Sequence, residues 1–561
     1  MAGTKHLLAG IKHLLATAIQ QCMMLRMSKI RTAPYQFLTL LLTVILVGCN
    51  LQESTAAETL IPPTTTSVTV LSTPVPTLAR TINTIEAPTQ VAQVATETPD
   101  VTAEPTCGLD ASVTTIRHQV QAEFNYTSRK ADVSQIVRYV NRSGEPLNDI
   151  VLNIEANRYP DTFTLTALAI VGVDGAEQTP QFDLTGRRMR IELLEPLRPG
   201  CVLELHLSFT IAVPAVADGV LAFRGFFGHT GRQVNLGHWL PTVALRAGED
   251  WVTRQLVFLG EQEVLAASDW DVTLKVTEAS DDLIVAAPGT VEELGENEWR
   301  YQFTSARDFT LSMSEEFKLS TIDAQNGTRL ELYTLPDALV KLPDGKEVDG
   351  AAHALNVGML ALESYSDLFG DLDTERLLIV QGDFPDGMEF SGIVFVSTDW
   401  FTRYTGDPAS FLTLITVHEV AHQWWYAQVG NDPALAPWLD EALATYSEYI
   451  FLEEYYPSLK DWWWSFRIEN YAPDGFVDST VYEFNSIRQY INAVYLRGVL
   501  MLHQLRQDIG TEAFFDWLKR YATEGSGEVV TPNFLWSLMS PEQLTATAST
   551  RAKFLRQPNV P

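Results

Sequence analysis

His418-Glu419-Val420-Ala421-His422 places two imidazoles four positions apart, and eighteen residues separate this run from Glu441. On a helix that spacing sets both rings on one face, about one turn apart, within reach of one metal ion. Glu419 then projects toward the water such an ion holds, where a carboxylate acts as a general base and later returns the proton to a leaving amine. With Glu441 as third ligand, two neutral imidazoles and one carboxylate form a zinc site of net positive charge with an open fourth position. One Zn2+ there would activate a water and polarise a scissile carbonyl. The plain alternative is a helix carrying two internally satisfied histidines. Trp438-Leu439-Asp440-Glu441 on a following helix argues for the zinc reading.

Two helices must hold these groups. Asp407-Pro408 predicts an N-cap followed by proline in the first turn, and Gly430 predicts the stop, so the histidines are expected mid-helix. A second helix is expected from about Pro437 to Tyr456, ended by Pro457, with Glu441 in its first turns. Thr445, one turn beyond Glu441, could support the ligands from behind or simply pack the helix. Arg376 to Val380 and Ile393 to Val396 read as strands, and most of the chain after Pro408 reads as helix.

Earlier in the chain the period changes to two. Leu203, Leu205, Leu207, Phe209 and Ile211 alternate with polar or small residues, as do Trp270, Val272, Leu274 and Val276, and later Phe309, Leu311 and Met313. Residues 107–319 are therefore expected to form an N-terminal antiparallel β saddle or sandwich domain, and 320–545 an α+β domain, followed by a tail over 546–561. A chain of 561 residues with 46% hydrophobic content is too long for one core and fits two folded modules. Its net charge of −31, from 39 basic and 70 acidic residues, excludes a nucleic-acid backbone as the natural partner and reads as solubility.

The apolar run Phe37 to Gly48, with Lys29 and Arg31 before it, is too short to span a bilayer and reads as the core of an export signal. Leu46-Val47-Gly48-Cys49 resembles a bacterial lipobox, which implies lipidation at Cys49 and anchoring to the cell envelope, outside the cytoplasm. Residues 1–26 fit that signal poorly, and Met27 is the expected start. Leu51 to Thr106, rich in Thr and Pro with Arg80 as its one basic residue, reads as a tether. Cys107 and Cys201 are the remaining cysteines, either paired as a disulfide or buried as free thiols. Asn125, Asn141 and Asn326 lie in N-x-Ser/Thr sequons, which carry no meaning in such a lipoprotein.

His418-Glu419-x-x-His422-Gln423-Trp424-Trp425, Asn431-Asp432 and Trp438-Leu439-x-Glu441-x-x-Ala444-x-Tyr446 together resemble the aminopeptidase N family of zinc metallopeptidases, the gluzincins. The likeness runs from about residue 115 to 540. It implies a β saddle followed by a thermolysin-like catalytic domain. It also implies that Glu389, in Gly387-Met388-Glu389-Phe390, grips the free α-amine of a peptide, although Phe390 stands where the family has asparagine. Val494-Tyr495-Leu496-Arg497-Gly498 is similar to the family's tyrosine motif, so Tyr495 is expected to stabilise the oxyanion, with Tyr490 a competing candidate. Larger members carry a long C-terminal helical domain, whereas this sequence ends 66 residues after Tyr495, so a form lacking that domain is expected. The function implied is removal of N-terminal residues from peptides. A gluzincin endopeptidase, a hydrolase of non-peptide substrates and an inactive peptide-binding lipoprotein are the alternatives. Trp462-Trp463-Trp464 could line a substrate channel, touch a membrane or pack a core.

Overall fold

The computed structural model describes residues 115–172, 175–216 and 226–558, all within one compact unit from Asp100 to Pro561. The export signal, Cys49, the tether and Cys107 lie outside the described residues. Cys201 is disulfide-bonded, which removes the free-thiol alternative for that residue.

The period-two segments around Leu203–Ile211 and Trp270–Val276 lie in an eight-stranded sheet, whereas Leu311 and Met313 lie in a separate four-stranded one. The central strands of the eight-stranded sheet are Ser268–Thr277, Ile116–Asn125, Lys130–Val140 and Val202–Ala212, side by side in that order. Their alternation of buried and accessible positions is what a sheet with one face on a core requires. The pairing of Ile116–Asn125 with Ser268–Thr277 is parallel, a departure from the expected purely antiparallel domain, whereas its pairing with Lys130–Val140 is antiparallel. A long excursion through two smaller four-stranded sheets makes that parallel return possible. Phe124, Leu205, Phe209, Trp239 and Leu274 fill the core between these sheets.

Lys318–Asp323 opens a second sheet of five strands, ordered Lys318–Asp323, Arg329–Thr334, Arg376–Gly382, Ile393–Ser397 and Gly387–Phe390. The helix Gly350–Phe369 supplies the crossover between the parallel strands Arg329–Thr334 and Arg376–Gly382. Gly387–Phe390 pairs only with Ile393–Ser397, so it is the edge strand and its other side is open. Against this sheet packs the histidine helix Phe411–Ala421, and the glutamate helix Glu441–Tyr455 packs on that helix. The helices Arg497–Ile509 and Thr511–Glu524 follow, and Ala548–Phe554, in the segment expected as a tail, is a helix packed against Arg497–Ile509 through the buried Phe554. No helix among the described residues is long and apolar enough to cross a membrane.

Candidate active site

The histidine helix begins later than its sequence suggests. Ser410, not Asp407, is the N-cap, its hydroxyl accepting from the Thr413 amide, while Asp407 caps only a local turn through Ala409 N–H. The α-helix ends at Ala421, so His418 lies in its last turn and His422 at its cap rather than mid-helix. Beyond it, Gln423–Gln428 continues in wider turns, broken at Trp425 and Tyr426, before Gly430 bridges to Val529. Arg307 stabilises that irregular stretch. Its buried guanidinium donates to the carbonyls of Tyr426, Gln428, Leu265 and Glu528, linking the segment to the first domain. Gln423 holds the other side, donating to the Phe390 carbonyl and accepting from the Gly392 amide, so the histidine helix is pinned to the edge hairpin.

The expected ligands meet. His418 Nε2 and His422 Nε2 are 3.2 Å apart, and Glu441 Oε2 lies 3.4 and 3.6 Å from them. His418 Nδ1 is 3.1 Å from Glu448 Oε1, and His422 Nδ1 is 3.0 Å from the Trp425 carbonyl. Carboxylate and carbonyl only accept, so each Nδ1 carries the proton and each Nε2 presents a lone pair. Two lone pairs and a carboxylate oxygen thus converge in a buried space, an arrangement that repels itself unless a cation or a proton sits among them. The surrounding charges press the same way. Burial works to lower the His418 and His422 pKa values, yet Glu441 and Glu448 hold His418 at about 9, and Glu389 with Glu441 holds His422 well above the ordinary range. Burial works to raise Glu441, yet the two imidazoles hold it down at about 2. The donor set, neutral imidazoles with a carboxylate, fits Zn2+.

Glu419 faces this centre with Oε2 buried and unpartnered, and burial raises its pKa well above the usual carboxylate range. Glu389, Glu419 and His422 bring ligand atoms within 4.8 Å of one another. Gly387 lies so close that a Cβ there would collide with the Glu419 carboxylate and with Ile415. Met388 is buried beneath the strand, and Phe390 packs edge-on against His238 and Phe395 while its backbone serves Gln423. Tyr495 donates to Glu441 Oε1, and Tyr490 packs edge-on to it at 5.5 Å. Burial, then the charge of Glu441, raises the Tyr495 pKa well above normal, so the phenol stays protonated. The Thr445 hydroxyl donates to the Glu441 carbonyl 2.7 Å away, which is helix packing rather than support of a side chain. Trp463 is fully buried, whereas Trp462 and Trp464 are partly accessible.

Three site groups escaped the sequence. Glu448, completely buried, accepts from His418 Nδ1, from Trp463 Nε1 and from both ends of the Arg467 fork. Burial alone would raise its pKa, but Arg467 and His418 bring it below the ordinary value, so it is ionised. Its signal was its place seven residues after Glu441, two turns along the same face. Arg467 has no local signature. Glu261, on a first-domain loop, is a partly accessible carboxylate that burial, then the charge of Glu389, raises well above the usual range. Neither Glu261 nor Glu389 has a Lys or Arg partner among the described residues, so the two carboxylates together offer a place for a cation.

Residues 353–553 match the Peptidase family M1 domain. The chain is 25% identical over 257 residues to human (Homo sapiens) endoplasmic reticulum aminopeptidase 1, which covers 42% of this chain and 26% of that protein. It is 27% identical over 165 residues to aminopeptidase N of Lactococcus lactis subsp. lactis, covering 27% of this chain and 19% of the relative. The chain therefore aligns with about a quarter or less of the length of these curated relatives. Its fold is similar to the crystal structure of an M1 zinc metallopeptidase from Deinococcus radiodurans, with TM-score 0.57 and 19% identity over 80% of this chain and 95% of that one. A variant of the Deinococcus protein bound to a Tyr-Ser-Ala substrate superposes with TM-score 0.56 at 20% identity, covering 80% of this chain and 95% of that one.

Proposed function

We propose, from the match of residues 353–553 to the Peptidase family M1 domain, that the chain is a zinc aminopeptidase of the aminopeptidase N family, removing N-terminal residues from peptides. The observation that carries the reading is the convergence of His418, His422 and Glu441 beside two carboxylates that lack a Lys or Arg partner among the described residues, Glu389 against His422 and Glu261 on the loop whose Gly260 abuts Tyr490. A zinc ion held by His418, His422 and Glu441 would supply Lewis acidity to a water and to the scissile carbonyl.

The protein's own groups do the rest. Glu389 and Glu261 bind the substrate's α-ammonium by charge-assisted contacts, which measures one residue back from the chain's end. The open side of the edge strand Gly387–Phe390 pairs with the substrate backbone as an added strand. Glu419 takes the proton from the attacking water and passes it to the departing amine. Tyr495 donates to the carbonyl oxygen as negative charge develops there. Glu448 holds His418 in the tautomer that leaves Nε2 free.

Anchoring outside the cytoplasm through a lipid on Cys49 belongs to the same reading, supported by the export-type run and the tether that follows it. Labelled fatty acid should incorporate into the full chain but not into a Cys49→Ser variant.

Turnover of unblocked aminoacyl reporters, before and after chelation, tests the enzyme assignment. Glu419→Gln should keep zinc and lose turnover. Normal activity in that variant, or full activity in zinc-free protein, would overturn the general-base and zinc roles.

A further inference from the structure

Beside the catalytic centre, a row of aromatic rings starts on the histidine helix itself. Trp400 stacks on Phe411 at 4.6 Å, Phe411 meets Phe466 edge-on at 5.3 Å, and Phe466 stacks on Trp462 at 5.0 Å. All four rings remain partly accessible, unlike their neighbour Trp463, which is fully buried. Taking the aminopeptidase reading as its basis, we propose that this strip binds the downstream part of the peptide substrate and favours peptides with an aromatic or large aliphatic side chain at about the fourth residue.

Position on the histidine helix sets the distance. Phe411 precedes His418 by seven residues, two turns along nearly the same stripe, with Ile415 between them. That separation is about 10 Å along the axis at about 1.5 Å per residue. An extended peptide advances about 3.3 Å per residue, so about three residues beyond the cleaved bond reach Phe411.

The edge strand sets the direction. The amine sits at Glu389, and the substrate runs along the open edge of Gly387–Phe390. At Gly387 the strand touches Glu419 and Ile415. A chain passing from Glu389 to Gly387 is therefore headed from the zinc centre toward Ile415 and then Phe411. The other side of the strip is tied to the same centre, because Trp463 and Arg467, beside Trp462 and Phe466 in sequence, both donate to Glu448. A turn fixed at one face to the His418 support presents its alternate residues, Trp462 and Phe466, to the strip. The strip thus joins the histidine helix, two turns before His418, to the turn that carries the Glu448 donors.

Hexapeptides with an unblocked N-terminal alanine, identical except for Phe, Leu or Ser at the fourth position, test this on the zinc-loaded full chain. KM for the Phe and Leu peptides should lie about tenfold below that for the Ser peptide. Trp462→Ala and Phe466→Ala should each remove most of that preference while leaving kcat/KM for an aminoacyl dipeptide unchanged. Trp462→Leu, which keeps apolar volume, should retain part of it and guards against a folding defect. Equal loss on dipeptide and hexapeptide, or a preference that survives both alanine variants, would overturn the strip. If no unblocked peptide is cleaved, the aminopeptidase reading fails, and quenching of tryptophan fluorescence by the same three peptides still decides the strip. Binding that discriminates Phe from Ser supports it, and equal binding contradicts it.

Discussion

His418 Nδ1 donates at 3.1 Å to Glu448 Oε1, part of a carboxylate with no solvent exposure that Arg467 neutralises from its far side. This fixes the ring so that Nε2 faces His422 and Glu441, and it makes the zinc site depend on a residue that never touches the ion. Glu448→Gln should therefore lower zinc affinity about 10- to 100-fold, the usual cost of losing such a partner. Arg467→Gln should give a smaller loss in the same direction. Competition against a fluorescent zinc chelator reads both, and unchanged affinity in Glu448→Gln would contradict the orienting role.

Gly387 is set by space rather than by backbone freedom. A methyl there meets the Glu419 carboxylate, so Gly387→Ala should displace the general base and reduce kcat at least 100-fold, with zinc content intact. Metal analysis beside steady-state kinetics separates this from general misfolding.

Tyr495 and Tyr490 make distinguishable predictions. Loss of an oxyanion donor costs about 2.7–4 kcal/mol, or about 10²–10³ in kcat. Tyr495→Phe should show that loss with little change in KM, and Tyr490→Phe, whose ring packs rather than donates to Glu441, should not.

A pH effect resides in the first domain, away from zinc. Glu155 and Glu263 share Arg187, and Glu155 also accepts from Arg158. Burial, then repulsion from Glu263, raises Glu155 from 4.5 to about 8. A carboxyl raised on folding is protonated in the native state while the unfolded chain has already lost its proton, so stability falls as pH rises from about 4.5 to about 8. Thermal unfolding across that window should show this decline in the parent and a flatter profile in Glu155→Gln.

The catalytic core was legible because its rules are local. Helical spacing brings His418, Glu419 and His422 together, and the next α-helix begins at Glu441 rather than at the expected Pro437, because Pro437–Leu439 forms a separate tight turn before it. The helix ends were less legible, because Asp407 and Ser410 are both good caps and only packing decides that the helix starts at Phe411. The wide turns of Gln423–Gln428 were invisible, since they depend on Arg307 arriving from another domain. Glu261 was hidden for the same reason: no spacing relates a first-domain loop to a strand more than a hundred residues later.

Whether the protein is an aminopeptidase is decided by kcat/KM for one peptide with a free N-terminus and for its N-acetylated form, in the zinc-loaded protein and in Glu389→Gln. The expected result is turnover of the free peptide, at least 100-fold loss on acetylation, and a similar loss with the free peptide in Glu389→Gln. Equal turnover of free and acetylated peptide would contradict the aminopeptidase reading and leave an endopeptidase in its place.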